Sequence, residues 1–176
     1  MKDGRVRALS AELRCRYLLS NETILAQLRK RVELNDPDAM CNMALHIGFG
    51  HLGLPVDEAK CIDLLREAAG LGHPDAQAQL GTFYDNGIMG LEKNEEEALK
   101  YWEKAAKSGD ILARHNHGCT ERDNGDYDTA LRHFRLSAAG GYRKSMEGVI
   151  ECFEKGLLHH KDLAETLQPC IVLERK

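Results

Sequence analysis

Hydrophobic residues recur along the chain at the three- and four-residue spacings that place side chains on one face of an α-helix. Two such stretches are adjacent in the middle of the sequence: Ala76, Leu80, Phe83 and Tyr84, then Ala98, Tyr101, Trp102, Ala105 and Ala106. Glycine-bearing segments separate consecutive stretches, at residues 48–53, 87–90 and 124–125. The pattern predicts an all-α protein made of short amphipathic helices.

The helical pattern repeats with a period of 37 residues. The segment Arg66–Ala76 returns as Glu103–Ala113, with an alanine pair, a glycine and a final alanine at matching places. The same frame returns 32 residues later, at Gly141 and Ser145, because one loop is shorter. Repetition of this kind is typical of helical solenoids, in which each unit buries its apolar side against the next.

Residues that favour helix ends predict two helices in each unit. Pro37 and Pro74 suit the first turn of a helix, and Asp110 suits the N-cap position. The second helix of each unit is expected to stop at a glycine with positive φ. The three glycines at this position are Gly72, Gly109 and Gly141.

These boundaries divide the chain into four parts. We expect a poorly ordered leader (1–20), an N-terminal capping helix (21–35), a repeat array (36–168) and a C-terminal tail (169–176). The array contains units at about 36–72, 73–109 and 110–141, and a degenerate unit at 142–168. Ser20 or Asn21 is expected to be the N-cap of the capping helix.

Two motifs resemble those of the Sel-one-like repeat family, a relative of the tetratricopeptide repeat. They are Ala-x-x-x-Leu-Gly-x-x-Tyr-x-x-Gly, residues 76–87, and Ala-x-x-Tyr-Trp-x-x-Ala-Ala-x-x-Gly, residues 98–109. The resemblance extends over roughly residues 36–167. Three residues depart from the family pattern. Ala44 stands where a glycine is usual, Cys61 where an alanine is usual, and His117 where a leucine is usual.

The resemblance implies a right-handed α-solenoid, or superhelix, of antiparallel helix pairs whose first helices line a concave face. Family members usually act as adaptors that hold other proteins in one assembly. The resemblance implies no reaction and no cofactor. We therefore expect a non-enzymatic scaffold that binds an extended segment of a partner protein, and an uncapped end of the array leaves homo-oligomerisation open.

Composition and charge agree with a folded domain. The 176 residues are 43% hydrophobic and 30% charged, with a net charge of −4. No stretch approaches the ~18 consecutive apolar residues of a membrane-spanning helix. There is also no dense run of Lys and Arg to neutralise a nucleic-acid backbone. Neither a membrane nor a nucleic acid is expected as a partner.

The six cysteines are far apart in the sequence, and no two form a Cys-x-x-Cys pair. The first twenty residues carry basic side chains without the apolar core of a secretory signal. We therefore expect reduced thiols in a protein of the cytoplasm or nucleus, and not a secreted protein.

Amide side chains at one position of the first helices are the leading candidates for binding. Asn42, Gln79 and Asn116 follow one another at intervals of 37 residues. An amide has both a donor and an acceptor, so it can pair with the backbone of an extended peptide of any sequence. The resemblance to tetratricopeptide arrays implies this role. The alternative is that the amides bond to neighbouring helices or face water.

Other positions of the first helices are expected to share this surface: Cys41, Leu45, Thr82, Asp85, His115, Cys119 and Arg122. In the last unit the equivalent positions are acidic, which would suit a basic segment of the ligand: Glu147, Glu151 and Glu154. Arg122 is the only candidate for a basic clamp on a peptide carboxylate. Binding to acidic C-terminal peptides is therefore not expected.

Histidine and cysteine raise the question of a metal site or an enzyme. His115 and His117 point about 200° apart on one helix, so they cannot easily share a metal ion. His115 and Cys119 lie four residues apart and could bind zinc if a partner or a second chain completed the four ligands. The favoured interpretation is that both line the concave face without a metal. The aromatic residues Tyr101, Trp102 and Phe134 are interpreted as core, and the pair at 159–160 as a solvated loop.

A second hypothesis concerns the N-terminal segment. Cys15 and Arg16 resemble the end of a zinc-binding RING-like domain that precedes the repeats in some family members. The chain would then be the substrate-receptor part of a RING-type ubiquitin ligase. The other zinc ligands are missing upstream of Cys15, so this chain alone is expected to hold no structural zinc and to transfer no ubiquitin.

Overall fold

The computed structural model describes residues 20–157, in which the regular secondary structure is helical and no β-strand occurs. Residues 20–33 form α1, and a one-turn 3₁₀ helix, His51–Gly53, follows the second helix. The other helices are α2 (Pro37–Gly48), α3 (Glu58–Gly70), α4 (Pro74–Asn86), α5 (Glu95–Lys107), α6 (Ile111–Asp123), α7 (Tyr127–Ala139) and α8 (Arg143–Glu154). The all-α prediction is confirmed. None of the described helices is both long and apolar enough to cross a bilayer.

The predicted helix starts are confirmed in the repeats. Asp36 accepts hydrogen bonds from backbone N–H groups at the start of α2, directly before Pro37. Asp110 caps α6 by accepting from the N–H of Ala113. At the front, the prediction is wrong, because Ser20 and Asn21 both have helical backbone and neither is the N-cap of α1.

The predicted glycine stops are also confirmed. Gly72, Gly109 and Gly141 have φ values of +88°, +95° and +92°. The N–H of the residue after each glycine donates to a carbonyl five residues earlier, as Asp110 does to Ala105 at 3.0 Å. This is the hydrogen bond of a Schellman motif, which satisfies carbonyls that the helix end leaves unpaired.

The chain divides into two compact units after Ala76. In the first unit, α2 packs against α3, and Leu25 of α1 shares an apolar cluster with Met43 and Ile47 of α2. His73 accepts from the N–H of Ala76 at the start of α4, so it takes the capping role that aspartate has elsewhere. Its other ring nitrogen lies 2.7 Å from the carboxylate of Asp38.

In the second unit, α6 packs against both α5 and α7, and α7 packs against α8. Two large aromatic side chains, Trp102 and Phe134, are buried at equivalent positions of α5 and α7. Each lies against a glycine of the preceding first helix, Gly81 or Gly118. Tyr101 is partly exposed and stacks on Tyr84, with ring centroids 5.8 Å apart. The interpretation of these aromatic residues as core is confirmed for Trp102 and Phe134. Tyr101 packs at the edge of the core.

The capping helix at residues 21–35 corresponds to α1, and each predicted unit contains the expected first helix. The degenerate last unit begins with α8, and the second helix predicted for it lies outside the described residues. Residues 1–19 of the leader, which include Cys15, also lie outside the described residues, as do the pair at 159–160 and the tail.

Candidate functional site

Equivalent positions of the first helices carry partly exposed side chains of mixed chemistry. One such set, which we call the first-helix positions, comprises Leu45, Thr82, Cys119 and Glu151. Asp85 and Arg122 are likewise partly exposed one helical turn further along α4 and α6. Each of these side chains is therefore partly accessible to solvent and is not enclosed in a core.

The prediction that Cys41 lies on this surface is wrong, because only 4% of the residue is exposed. It lies on α2, which packs against α3, and its thiol is close enough to Cys61 for the two to interact electrostatically. Burial raises the pKa of the Cys41 thiol to about 11. This cysteine is a core residue and is not available for contacts at a surface.

The three amides differ in their surroundings. Asn42 is exposed, and its side-chain nitrogen donates to the carbonyl of Asp38 on its own helix at 2.9 Å. Gln79 and Asn116 are partly buried. The side-chain donor of Asn42 is thus already used within its own helix, while its oxygen is not involved in that bond.

His115 is the centre of a cluster that joins α6 to α8. Its Nε2 lies 3.5 Å from the sulfur of Cys119, which confirms that the two side chains share a face. Its Nδ1 lies 2.9 Å from the hydroxyl of Ser145. The imidazole also packs on the rings of Tyr142 and Phe134, at centroid distances of 4.8 and 5.7 Å.

His117 points to a different part of the unit, as predicted. Its ring lies 4.1 Å from that of His133 on α7. Its Nε2 is 3.2 Å from the carboxylate of Glu121. His115 and His117 therefore have separate partners and do not converge on one site.

Burial determines the ionisation of the His115 cluster. It lowers the pKa of His115, and the positive charges of Lys144 and Arg122 act in the same direction. It raises the pKa of the Cys119 thiol, although Arg122 partly opposes this shift. At neutral pH the cluster therefore contains a neutral imidazole next to a protonated thiol.

Arg122 is already paired within the protein. Its Nε donates to Asp123 at 2.9 Å, and its Nη1 donates to Glu151 on α8 at 3.2 Å. Glu151 in turn accepts from Lys155 at 3.0 Å. The guanidinium is thus held by two carboxylates, which is consistent with the expectation that it does not act as a clamp for a peptide carboxylate.

Ser145 belongs to the His115 cluster, and the sequence interpretation did not include it. It is fully buried, although the equivalent positions of the preceding units are alanines: Ala39, Ala76 and Ala113. The sequence signal that could have identified this residue is a serine at a position where the other units have alanine. Its hydroxyl lies 2.9 Å from Nδ1 of His115, which is 30 residues away in sequence.

The family model of the Sel1 repeat matches residues 37–73, 74–110 and 115–142, which is more than half of the chain. The chain therefore belongs to the Sel1 repeat family. No protein of curated function gives a significant match. The matched segments coincide closely with the three complete units predicted from the period of the sequence.

Two solved structures are similar to this one. A Sel1 repeat protein from Oxalobacter formigenes has a TM-score of 0.72 and 29% identity, over 88% of this chain and 64% of its own. A protective antigen of uropathogenic Escherichia coli with an SLR fold has a TM-score of 0.72 and 23% identity, over 81% of this chain and 32% of its own. The present chain thus spans less than two thirds of either protein. The predicted Sel1-type helical solenoid is confirmed.

Proposed function

We propose that this chain is a non-enzymatic scaffold that binds an extended segment of a partner protein on a concave face formed by the first helices. Proteins of the Sel1 repeat family generally serve as protein-interaction scaffolds and are typically non-catalytic. The observation that supports the proposal here is the partial exposure of the first-helix positions, in contrast to the buried alanines and aromatics of the same repeats.

The proposed mechanism uses preformed hydrogen-bonding groups. Helices hold their side chains in a fixed arrangement, so little conformational entropy is lost when an extended segment binds. The amides of Asn42, Gln79 and Asn116 would bond to the peptide backbone, and the partly exposed side chains near them would select its sequence.

The acidic end of the array supports a basic segment in the ligand. Glu147 and Glu154 are exposed on α8, whereas Glu151 already pairs with Arg122 and Lys155. Two carboxylates of this helix therefore remain accessible for lysine or arginine of a partner. Exposed pairs of this kind contribute little affinity and mainly increase specificity and the association rate.

The test compares the proteins that co-purify from native extract with the wild type and with the triple variant Asn42→Ala, Gln79→Ala, Asn116→Ala. Circular dichroism and urea unfolding should show that the variant is folded. A matched control replaces exposed charged residues of the second helices: Glu67→Ala, Glu96→Ala and Arg135→Ala. Selective loss of a partner from the amide variant alone supports the proposal, and identical partners with all three baits contradict it.

Location and assembly are further parts of the proposal. We propose a cytoplasmic location. The test is to fractionate cells and to detect the chain in each fraction with antibodies against the full chain. Recovery from the culture medium alone or from the nucleus alone would contradict the proposal. Homo-oligomerisation stays a prediction that light scattering of the purified chain can test. The comparisons give no support to the ubiquitin-ligase hypothesis.

A further inference from the structure

We propose that His115 and Cys119 form half of a tetrahedral site for Zn²⁺ at the surface of α6, with two coordination positions left open to water or to a partner's side chain. Among the described residues, no group of three or more His, Cys, Asp or Glu side chains can hold a metal ion. The proposed site is therefore a two-ligand site, and its binding does not depend on the scaffold function.

The first argument is the distance between the two ligand atoms. Zinc binds thiolate sulfur at about 2.3 Å and imidazole nitrogen at about 2.0–2.1 Å, and a tetrahedral angle between these bonds separates sulfur from nitrogen by about 3.5 Å. Cys119 Sγ and His115 Nε2 are 3.5 Å apart. The two atoms thus already have the separation that they would have on one zinc ion.

The second argument is the support around the imidazole. When Nε2 binds a metal, the proton of a neutral imidazole is on Nδ1, which needs an acceptor. The hydroxyl of Ser145 lies 2.9 Å from Nδ1 and is fully buried. The rings of Tyr142 and Phe134 hold the imidazole from its sides. The ring is therefore oriented with Nε2 towards the thiol before any metal binds.

The third argument is the charge of the surroundings. Carboxylates of Asp85, Asp123 and Glu151 act electrostatically on Cys119, and that of Glu147 acts on His115. The opposing positive charges are those of Lys144 near His115 and of Arg122 near both side chains, and Arg122 is paired with two of these carboxylates. The negative charges favour a dication, and binding replaces the thiol proton, which leaves to solvent.

Cobalt provides the test, because Co²⁺ bound to thiolate shows a charge-transfer absorption that zinc lacks. The probe is added to the reduced full chain carrying Cys15→Ser and Cys170→Ser, so that the terminal thiols do not contribute. We expect one Co²⁺ per chain, one proton released, and displacement of the cobalt by Zn²⁺.

Three variants assign the site to its residues. Cys119→Ala should abolish the charge-transfer band, and His115→Ala should weaken cobalt binding by about 100-fold or more. Ser145→Ala should weaken it by about 10-fold, because an outer partner of a ligating histidine contributes a factor of about 10–100. His51→Ala is the control, since this histidine is exposed and lies in the first unit. It should bind cobalt as the parent chain does.

Either of two results would overturn the proposal. One is the absence of a charge-transfer band in the folded chain with excess cobalt. The other is a band that persists in Cys119→Ala or is unchanged in His115→Ala, because the metal would then be bound elsewhere. Circular dichroism of each variant separates loss of the site from loss of the fold, and the scaffold proposal is unaffected by either result.

Discussion

Gly118 lies so close to Phe134 that a Cβ atom on the glycine would be 2.9 Å from the phenyl ring. The relationship occurs again one repeat earlier, where a Cβ atom on Gly81 would be 2.5 Å from the indole of Trp102. Real Cβ atoms do not approach rings this closely. The glycine of the Leu-Gly motif thus gives the aromatic ring of the second helix space to pack against the backbone of the first.

Gly118→Ala should therefore destabilise the protein. The added methyl group would displace the buried ring of Phe134, and overpacking of this kind costs about 1–3 kcal/mol. Urea unfolding of the full chain measures the effect. Gly70→Ala is the matched control, because nothing lies within 4 Å of a Cβ atom there, and alanine should be neutral or stabilising by up to about 1 kcal/mol. Equal stability of the two variants would show that the ring does not restrict this glycine.

Gly109→Val should also destabilise the protein, for a reason that lies in the backbone. Gly109 has a φ of +95°, and no atom lies near a Cβ built on it, so any effect arises from conformational strain. An L-residue in the left-handed region costs roughly 1–2 kcal/mol, and a β-branched residue is especially unfavourable. Gly109→Asn should lose less stability, because asparagine tolerates this region. Unchanged thermal unfolding of the valine variant would contradict the assignment.

Acidification should reduce stability through His133. Burial lowers the pKa of His133 to about 4, and the charges of His117, Arg132 and Arg114 also lower it. The carboxylate of Glu103 has the opposite effect and raises this pKa. The unfolded chain, with a histidine pKa near 6.5, binds the proton more readily. The contribution of His133 is therefore fully present above about pH 6.5 and is lost as the pH falls towards about 4. His133→Gln should reduce this pH dependence of urea unfolding, and an identical slope for both proteins would refute the prediction.

Arg122 should not bind a peptide carboxylate. It is engaged by Asp123 and Glu151, so an acidic C-terminal peptide would have to displace both. Fluorescence anisotropy with a labelled acidic peptide should show no saturable binding to the full chain. Measurable affinity that disappears in Arg122→Ala would overturn this expectation.

The repeat period and the helix ends could be read from the sequence, because both depend on local properties. Pro37 and Asp110 begin helices through their own backbone and side-chain chemistry, and Gly109 ends one because it adopts positive φ at no steric cost. The glycine and the aromatic residue of each unit also recur at fixed positions, so the core of Trp102 and Phe134 was predictable.

Tertiary structure decided which equivalent positions are open to solvent and which side chains meet. Cys41 and His115 occupy the same place in their repeats, yet Cys41 is buried and His115 is only partly so. Ser145 faces His115 across two helices, a contact that no short-range pattern predicts. The sequence by itself determined the helices and their repeat, because these follow from neighbours along the chain. Burial and the His115 cluster were decided by packing between helices, because they depend on residues that are distant in sequence.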